Sequence, residues 1–214
     1  SNRKLTPARL SEAVPFRNYI AWIQKQDPAE AEAFWRHALQ GFTTPTLITS
    51  KIEAGQPSES DGIGVDMPLS PEQTGALRNF AKRHGLTVST VFQGAWALAL
   101  SRYTGRQDVV FGAAVSGRPP SLAGVDAIVG SFINNLPVRV RLSGNQSIIR
   151  WLKSIQSAQQ RRGAFEHVSP AAIQSWCDLP SRGRLFDTLM IWLAPNAPRG
   201  PINLTFRGVP GDLR

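Results

Sequence analysis

Residues 108–140 read DVVFGAAVSGRPPSLAGVDAIVGSFINNLPVRV. Asp108 to Ser116 is a β-type run with small residues at its end. Gly117-Arg118-Pro119-Pro120 breaks it as a turn or loop. Residues 125–133 are short and ambiguous. Leu136 to Leu142 then alternates: Leu136, Val138, Val140 and Leu142 share one face, and Arg139 and Arg141 take the other. Arg139 is therefore either a solvated edge charge or a buried cation that needs a carboxylate. The small, polar cluster Gly130-Ser131-Phe132-Ile133-Asn134-Asn135 ahead of it lets another backbone come close.

Helical patterns flank this pair of strands. Upstream, Thr87 caps a helix over 88–104 whose Val88, Val91, Phe92, Ala95, Trp96, Leu98, Ala99, Leu100 and Tyr103 leave almost no polar face. Such a helix is expected to be buried on most sides. Before it, Ser70-Pro71-Glu72-Gln73 is a capping-box start, and the helix runs to His84 with Gly85 as its stop. Gly64 to Leu69 reads as a short strand. Residues 43–61 are rich in Thr, Pro, Gly and Ser and read as loop. Residues 17–40 read as helical, with a second start signal at Asp27-Pro28 and an end at Gly41. Residues 1–16 read as a lead-in broken by Pro7 and Pro15.

Downstream, Ser147 opens an amphipathic helix to about Arg162, with Ile148, Leu152, Ile155 and Ala158 expected inward. Pro170 to Cys177 is a shorter helix. Phe186 to Leu193, FDTLMIWL, reads as a strongly apolar central strand. Asn203 to Arg207 is a candidate last strand. Irregular alternation of helices and strands predicts a layered α/β domain.

The chain has 214 residues, enough to bury a core without staples. Charged residues make up 18%, below the roughly 25% usual in soluble domains. The formal net charge is +9, carried mostly by arginine. That excess suggests an acidic partner, nucleic acid or a membrane surface. The basic residues are scattered, however, and the longest runs are the pairs Arg3-Lys4, Lys82-Arg83 and Arg161-Arg162. No aromatic interleaving or helix-turn-helix pattern accompanies them, so nucleic acid is disfavoured. Val91 to Leu100 is too short and broken to span a bilayer. A single cysteine, Cys177, excludes an internal disulfide and a cysteine-cage metal site. A cytoplasmic protein is expected. Ser1-Asn2 at the start reads as a cloning scar.

The chain carries no complete catalytic set. It has no G-x-S-x-G elbow, no P-loop and no dinucleotide fingerprint. Its three histidines, His37, His84 and His167, lie far apart in sequence. His37 and His84 sit near helix ends. His167 follows Glu166 and can in principle act as a general base. The simpler expectation is a loop histidine after a helix C-terminus, where a partial positive charge is favoured. Cys177, beside Trp176, reads as core filler. Asn196, past the apolar strand, is placed where polar groups often line a site.

At these residues the sequence resembles the condensation domain of nonribosomal peptide synthetases. Residues 108–140 are similar to that family's "DvvfG…vsGR…(I/V)GxFvNtlPxR". FRNYIAWIQKQ with AEAFWRHAL (16–39), LTVSTVFQGAWALALSRYTGRQDVVFG (86–112), GAFEHVSPAAIQSW (163–176) and LFDTLMIWLAPN (185–196) resemble further family segments in the same order. The resemblance implies a chloramphenicol-acetyltransferase-like fold, a mixed β-sheet packed with helices. It also implies that the family's catalytic HHxxxDG lies on a preceding lobe. Residues 1–16 would then be an interlobe linker, and 17–214 the C-terminal subdomain, truncated at its end. The catalytic His is expected on the other lobe and no metal is implied.

The same resemblance gives the unusual residues roles. Arg139 matches the family Arg that pairs across the lobes with the Asp of HHxxxDG. Asn196 would line the tunnel. Gly117 and Arg118 match the "GR" turn, and Gly130, Phe132 and Asn134 match "GxFvN". Asn135 stands where Thr is usual, and Leu193-Ala194-Pro195 departs from the usual residues before Asn196. The implied reaction is amide formation between two carrier-bound thioesters. No cofactor is bound directly, and the phosphopantetheine arm of the carriers is the substrate tether. The implied partners are the N-terminal lobe, peptidyl and aminoacyl carrier proteins and an adjacent adenylation domain. Alternatives are an epimerisation, heterocyclisation or terminal acyltransferase domain of the same superfamily, or a non-catalytic carrier-binding module.

Overall fold

The computed structural model describes residues 14–48, 63–179, 183–193 and 202–208. Most of the lead-in over 1–16 and most of the loop over 43–61 lie outside the described residues. The elements in order are α1 (Arg17–Ile23), α2 (Pro28–Leu39), β1 (Ile63–Pro68), α3 (Pro71–His84), α4 (Val88–Thr104), β2 (Asp108–Val115), β3 (Asn134–Arg141), α5 (Ile148–Arg162), α6 (Pro170–Ser175), β4 (Leu189–Met190) and β5 (Asn203–Gly208). Two single-turn 3-10 helices lie at Val125–Ala127 and Gly163–Phe165.

Local chemistry fixes the helix starts. The helix expected over 17–40 is two helices, because Asp27 adopts an extended backbone and its carboxylate accepts from the Ala29 N–H at 2.8 Å. Ser70 and Gln73 form the full capping box of α3, and Gly85 ends it in the left-handed conformation at φ 64°. Thr87, Ser147 and Ser169 cap α4, α5 and α6 through their hydroxyls. Each cap satisfies a backbone N–H that the helix geometry leaves without a partner.

The main sheet has strand order β3-β2-β4. β2 and β3 run antiparallel, from Asp108 opposite Arg141 to Val115 opposite Asn134. β4 joins β2 in parallel through Gly112 and Ala113. The sheet is therefore mixed. β1 and β5 form a separate antiparallel ribbon. One core cluster gathers Val109, Phe111, Ala113, Val138 and Val140 with Ala97 and Leu100 of α4 and Trp151, Leu152 and Ile155 of α5. A second gathers Val110 and Leu136 with Ala31, Trp35 and Leu39 of α2, Ile173 of α6 and Leu185. A third cluster joins Tyr19 of α1 to Val125, Ile128 and Phe132 of the loop between β2 and β3. Helices thus pack around one sheet, the layered α/β arrangement the sequence predicts. Each large buried apolar side chain, such as Phe111, contributes roughly 1.5–3 kcal/mol of transfer free energy.

Three sequence expectations change here. α4 is buried along Thr90, Gln93, Gly94, Ala97 and Leu100, while Ala95, Leu98, Ala99 and Tyr103 are exposed. Its contacts come chiefly from α5, β2 and α3 and cover only part of its circumference. On α5, Ile148 faces solvent and Trp151 takes the inward place, anchored by its indole N–H to the Arg141 carbonyl at 3.0 Å. The strand expected over 186–193 shrinks to Leu189–Met190 at a sheet end, so it is not central. Phe186 meanwhile packs with the second cluster, and Trp192 contacts the Phe92 ring at 5.6 Å. Cys177 is half-buried and burial pushes its thiol pKa up to about 11, which fits filler and not a nucleophile.

Candidate functional site

Gly117 and Phe132 are in backbone contact. Gly117 has φ 62°, and a Cβ placed on it would collide with the Phe132 carbonyl oxygen. Only glycine permits both that conformation and that approach. The next residue, Arg118, lays its guanidinium over the Phe132 ring at 4.1 Å. Its Nη1 also donates to the Val125 and Ile128 carbonyls, closing the loop between β2 and β3. The turn at 117–118 and the cluster at 130–134 are one knot.

Phe132 anchors that knot among aromatic rings. It lies 5.3 Å from the Phe16 ring and 4.5 Å from the Tyr19 ring. At Gly130 the close approach expected of a backbone is made instead by the Phe16 ring, which occupies the space a Cβ would need. Asn134 faces the other way. Its amide donates to the Glu166 carbonyl at 2.8 Å and to the Val168 carbonyl at 2.7 Å. Its Oδ1 accepts from the Asn135 N–H at 2.9 Å. The polar atoms of Asn134 thus grip the backbone on both sides of His167.

The electrostatics around that grip are distinctive. Arg162, in the last turn of α5, is 6% exposed, and burial lowers its pKa to about 10. It remains a cation at neutral pH, with the Glu166 charge favouring that state. The Glu166 carboxyl is pushed above its ordinary value by burial, against the opposing pull of Arg162 and the Gly117 N–H. Tyr19 is pushed up by burial and by Glu166. Burial pulls His167 below its ordinary value, and its ring stands edge-on to Trp22 at 5.3 Å. His167 is the loop histidine expected after a helix end, following the turn Gly163–Phe165, but the charge expected there is disfavoured: desolvation outweighs the favourable backbone contact with Ala164.

Arg139 lies elsewhere. Its Nε and Nη2 bind Asp108 at 2.9 and 2.7 Å, and its Nη1 donates to the Gln40 and Ala38 carbonyls at 2.8 and 3.3 Å. The carboxylate this buried cation needs is therefore already supplied within the chain. The strand register explains how, because it sets Asp108 diagonal to Arg139 and directly opposite Arg141. Asn196 lies outside the described residues. Sequence reasoning missed Asp108, Arg162, Tyr19 and Trp22 as partners. A signal existed for Asp108: it opens one strand and two arginines close the next.

Among the described residues no group of His, Cys, Asp and Glu is arranged to hold a metal ion. No described helix is long and apolar enough to cross a membrane. A cleft of about 180 Å³ lies between β3 and α6, lined by Asn135, Pro137, Ile173, Gln174, Arg184 and Phe186 among others. It does not include Asn134, Glu166 or His167.

The knot of Gly117, Arg118, Gly130, Phe132 and Asn134 shows that the sequence pattern at 108–140 is a built structure. A family model described as "Condensation domain" matches residues 1–191. The chain belongs to the condensation-domain family. It is 41% identical over 196 residues to a linear gramicidin synthase of Brevibacillus parabrevis, covering 91% of this chain and 4% of that protein. It is 33% identical over 193 residues to surfactin synthase subunit 3 of Bacillus subtilis (strain 168), covering 89% and 15%. Among solved structures, the first condensation domain of the CDA synthetase superposes with a TM-score of 0.63 at 21% identity, covering 89% of this chain and 42% of that one. The chain thus spans a small fraction of these synthases and less than half of a solved condensation domain. The mixed α/β fold read from the sequence is the condensation-domain fold.

Proposed function

We propose that this chain is the C-terminal lobe of a nonribosomal peptide synthetase condensation domain and that it helps form amide bonds between carrier-bound thioesters. The observation that carries this is the family match over 1–191 together with a coverage of 42% of a solved condensation domain. In the reaction, the acceptor amine nitrogen attacks the donor thioester carbonyl. A C–N bond forms, the C–S bond breaks, and the proton lost by nitrogen leaves with the phosphopantetheine thiol. The catalytic His would come from the preceding lobe. This lobe would supply the rigid floor: the Gly117–Phe132 knot, the Asn134 grip on 166–168, and the Arg139–Asp108 tie between strands.

Carrier proteins bearing the phosphopantetheine arm are the proposed partners, with an adjacent adenylation domain and the N-terminal lobe. The test is reconstitution of the whole synthetase that contains this chain, with donor and acceptor carriers loaded separately. An acceptor-bound amide detected by mass spectrometry is expected. Epimerised or cyclised products, or no acyl transfer, would move the chain to one of the sister reactions or to a carrier-binding role.

A further inference from the structure

The cleft of about 180 Å³ between β3 and α6 takes none of the knot's residues into its walls. Its floor is apolar and buried: Pro137, Ile173 at 0% exposed and Leu185 at 6%, with the half-buried Phe186 beside them. Backbone pairing fixes that floor. The Thr46 N–H donates to the Leu185 carbonyl at 3.0 Å, and Thr46 bridges Phe186. Among the described residues β3 pairs only with β2, so the cleft lies along a sheet edge. Pro137 has no N–H to offer a further strand, so ladder pairing breaks there. A small molecule suits such a place better than an added strand.

The polar groups that line the cleft decide its chemistry. Arg184 and Asn135 stand at the more exposed positions, and among the described residues neither side chain has a hydrogen-bond or ion-pair partner. Gln174 is committed instead: its amide donates to the Gly183 carbonyl at 2.6 Å and so holds the segment that carries Arg184. The Asn135 backbone is set by its N–H, which donates to the Asn134 side chain at 2.9 Å. No carboxylate lines the cleft among the described residues, so Arg184 sets the sign of its field. A guanidinium and a carboxamide N–H match the two oxygens of a carboxylate. The further oxygens of a phosphate would meet apolar wall, and an ammonium would meet Arg184. An apolar cavity of roughly 150 Å³ holds one benzene, so this floor accommodates one ring or one branched alkyl group.

We propose that the cleft between β3 and α6 binds a small free carboxylic acid, its carboxylate on Arg184 and Asn135 and its apolar body on Pro137, Ile173, Leu185 and Phe186. The site is separate from the amide-forming role proposed above and stands or falls without it.

The test uses the intact synthetase that contains this chain, titrated with phenylacetate. Binding is read by hydrogen–deuterium exchange of the peptides that cover α6 and residues 183–193, which locates the ligand and gives a midpoint. Saturable protection of those peptides is expected. Arg184→Gln should raise the midpoint about 10-fold, the size of a charge-assisted hydrogen bond. Acetate should need at least about 10-fold more than phenylacetate, because it leaves the apolar floor uncovered. Arg184→Glu should reverse the preference, losing protection by phenylacetate and gaining it with phenethylamine. That gain keeps the test decisive where the Gln variant loosens the loop, since a damaged site would take neither compound. Absence of protection in the wild type overturns the proposal. An unchanged midpoint in Arg184→Gln, or equal midpoints for acetate and phenylacetate, overturns it as well.

Discussion

Arg139 shows how a single side chain ties three elements. Its guanidinium holds Asp108 of β2 and, through Nη1, the Ala38 and Gln40 carbonyls at the end of α2, where a helix carries partial negative charge. The Arg139 side chain is 8% exposed and that of Asp108 is 37% exposed. Breaking such a pair from one side leaves a buried cation without its carboxylate. Asp108→Ala should therefore cost about 3 kcal/mol. Asp108→Ala combined with Arg139→Met should cost less than the two single changes added together, since no orphan charge remains. Urea unfolding of the four proteins measures both. A single-variant cost near zero would mean that solvent screens the pair. His167 gives a second test at this scale. Its folded pKa lies below the ordinary 6.5, so above that pH the ring is neutral in both states and nothing is lost. As pH falls below 6.5 the unfolded chain takes a proton that the folded chain resists, and stability drops. Glu166 has the opposite sign, because its raised pKa makes stability fall as pH rises just above 4.5. His167→Gln should abolish the loss on the acidic side of 6.5 and leave the Glu166 window intact, read as unfolding midpoints across pH.

At the scale of elements, the helix starts obey local chemistry closely enough to be tested one hydroxyl at a time. Ser70 accepts from the Gln73 N–H while Gln73 accepts from the Ser70 N–H at 2.9 Å. Ser70→Ala should cost about 1 kcal/mol, seen as a fall in melting temperature of roughly 2–4 °C for a domain of this size. Ser70→Asp should keep most of the stability, since a carboxylate caps as well. The same locality explains what was legible in the sequence. Capped helices such as α3 and α4 could be placed to the residue from Ser70, Thr87, Gly85 and Gly105, because every determinant lies within a few positions. The β2–β3 pair was legible from its alternation. Register was not, so Asp108 could not be matched to Arg139. Strand 186–193 failed for a related reason: apolar composition signals burial, and Phe186 and Leu185 are satisfied by packing on α2 and α6 rather than by ladder pairing. The site divides the same way. Gly117, Phe132 and Asn134 were singled out from the sequence pattern, but their common target, Glu166-His167, follows only from a long-range contact.

At the scale of the whole molecule, the +9 charge has two components. Part of it is structural. Lys82 and Arg83 occupy the last turn of α3, and Arg161 and Arg162 that of α5, where cations offset the helix dipole. Arg118 and Arg139 are committed to carbonyls and Asp108. Another part is exposed: among the described residues, Arg17, Arg102, Arg106 and Arg150 face solvent, and of these only Arg102 sits in the last turn of a helix. Such charges contribute little to stability, yet they set the long-range field that a partner meets first. Carrier proteins are proposed as that partner, and an acidic carrier would be drawn by this field before any contact forms. Neutralising Arg17, Arg106 and Arg150 to Gln should leave the unfolding midpoint within about 0.5 kcal/mol. The same change should slow association of an acidic carrier by about 10-fold at low salt. It should also flatten the dependence of the association rate on ionic strength, while dissociation changes little. Stopped-flow mixing over a salt series separates the two rates. An association rate that ignores these three arginines would assign the exposed charge to composition alone, and carrier recognition would then rest on surface shape.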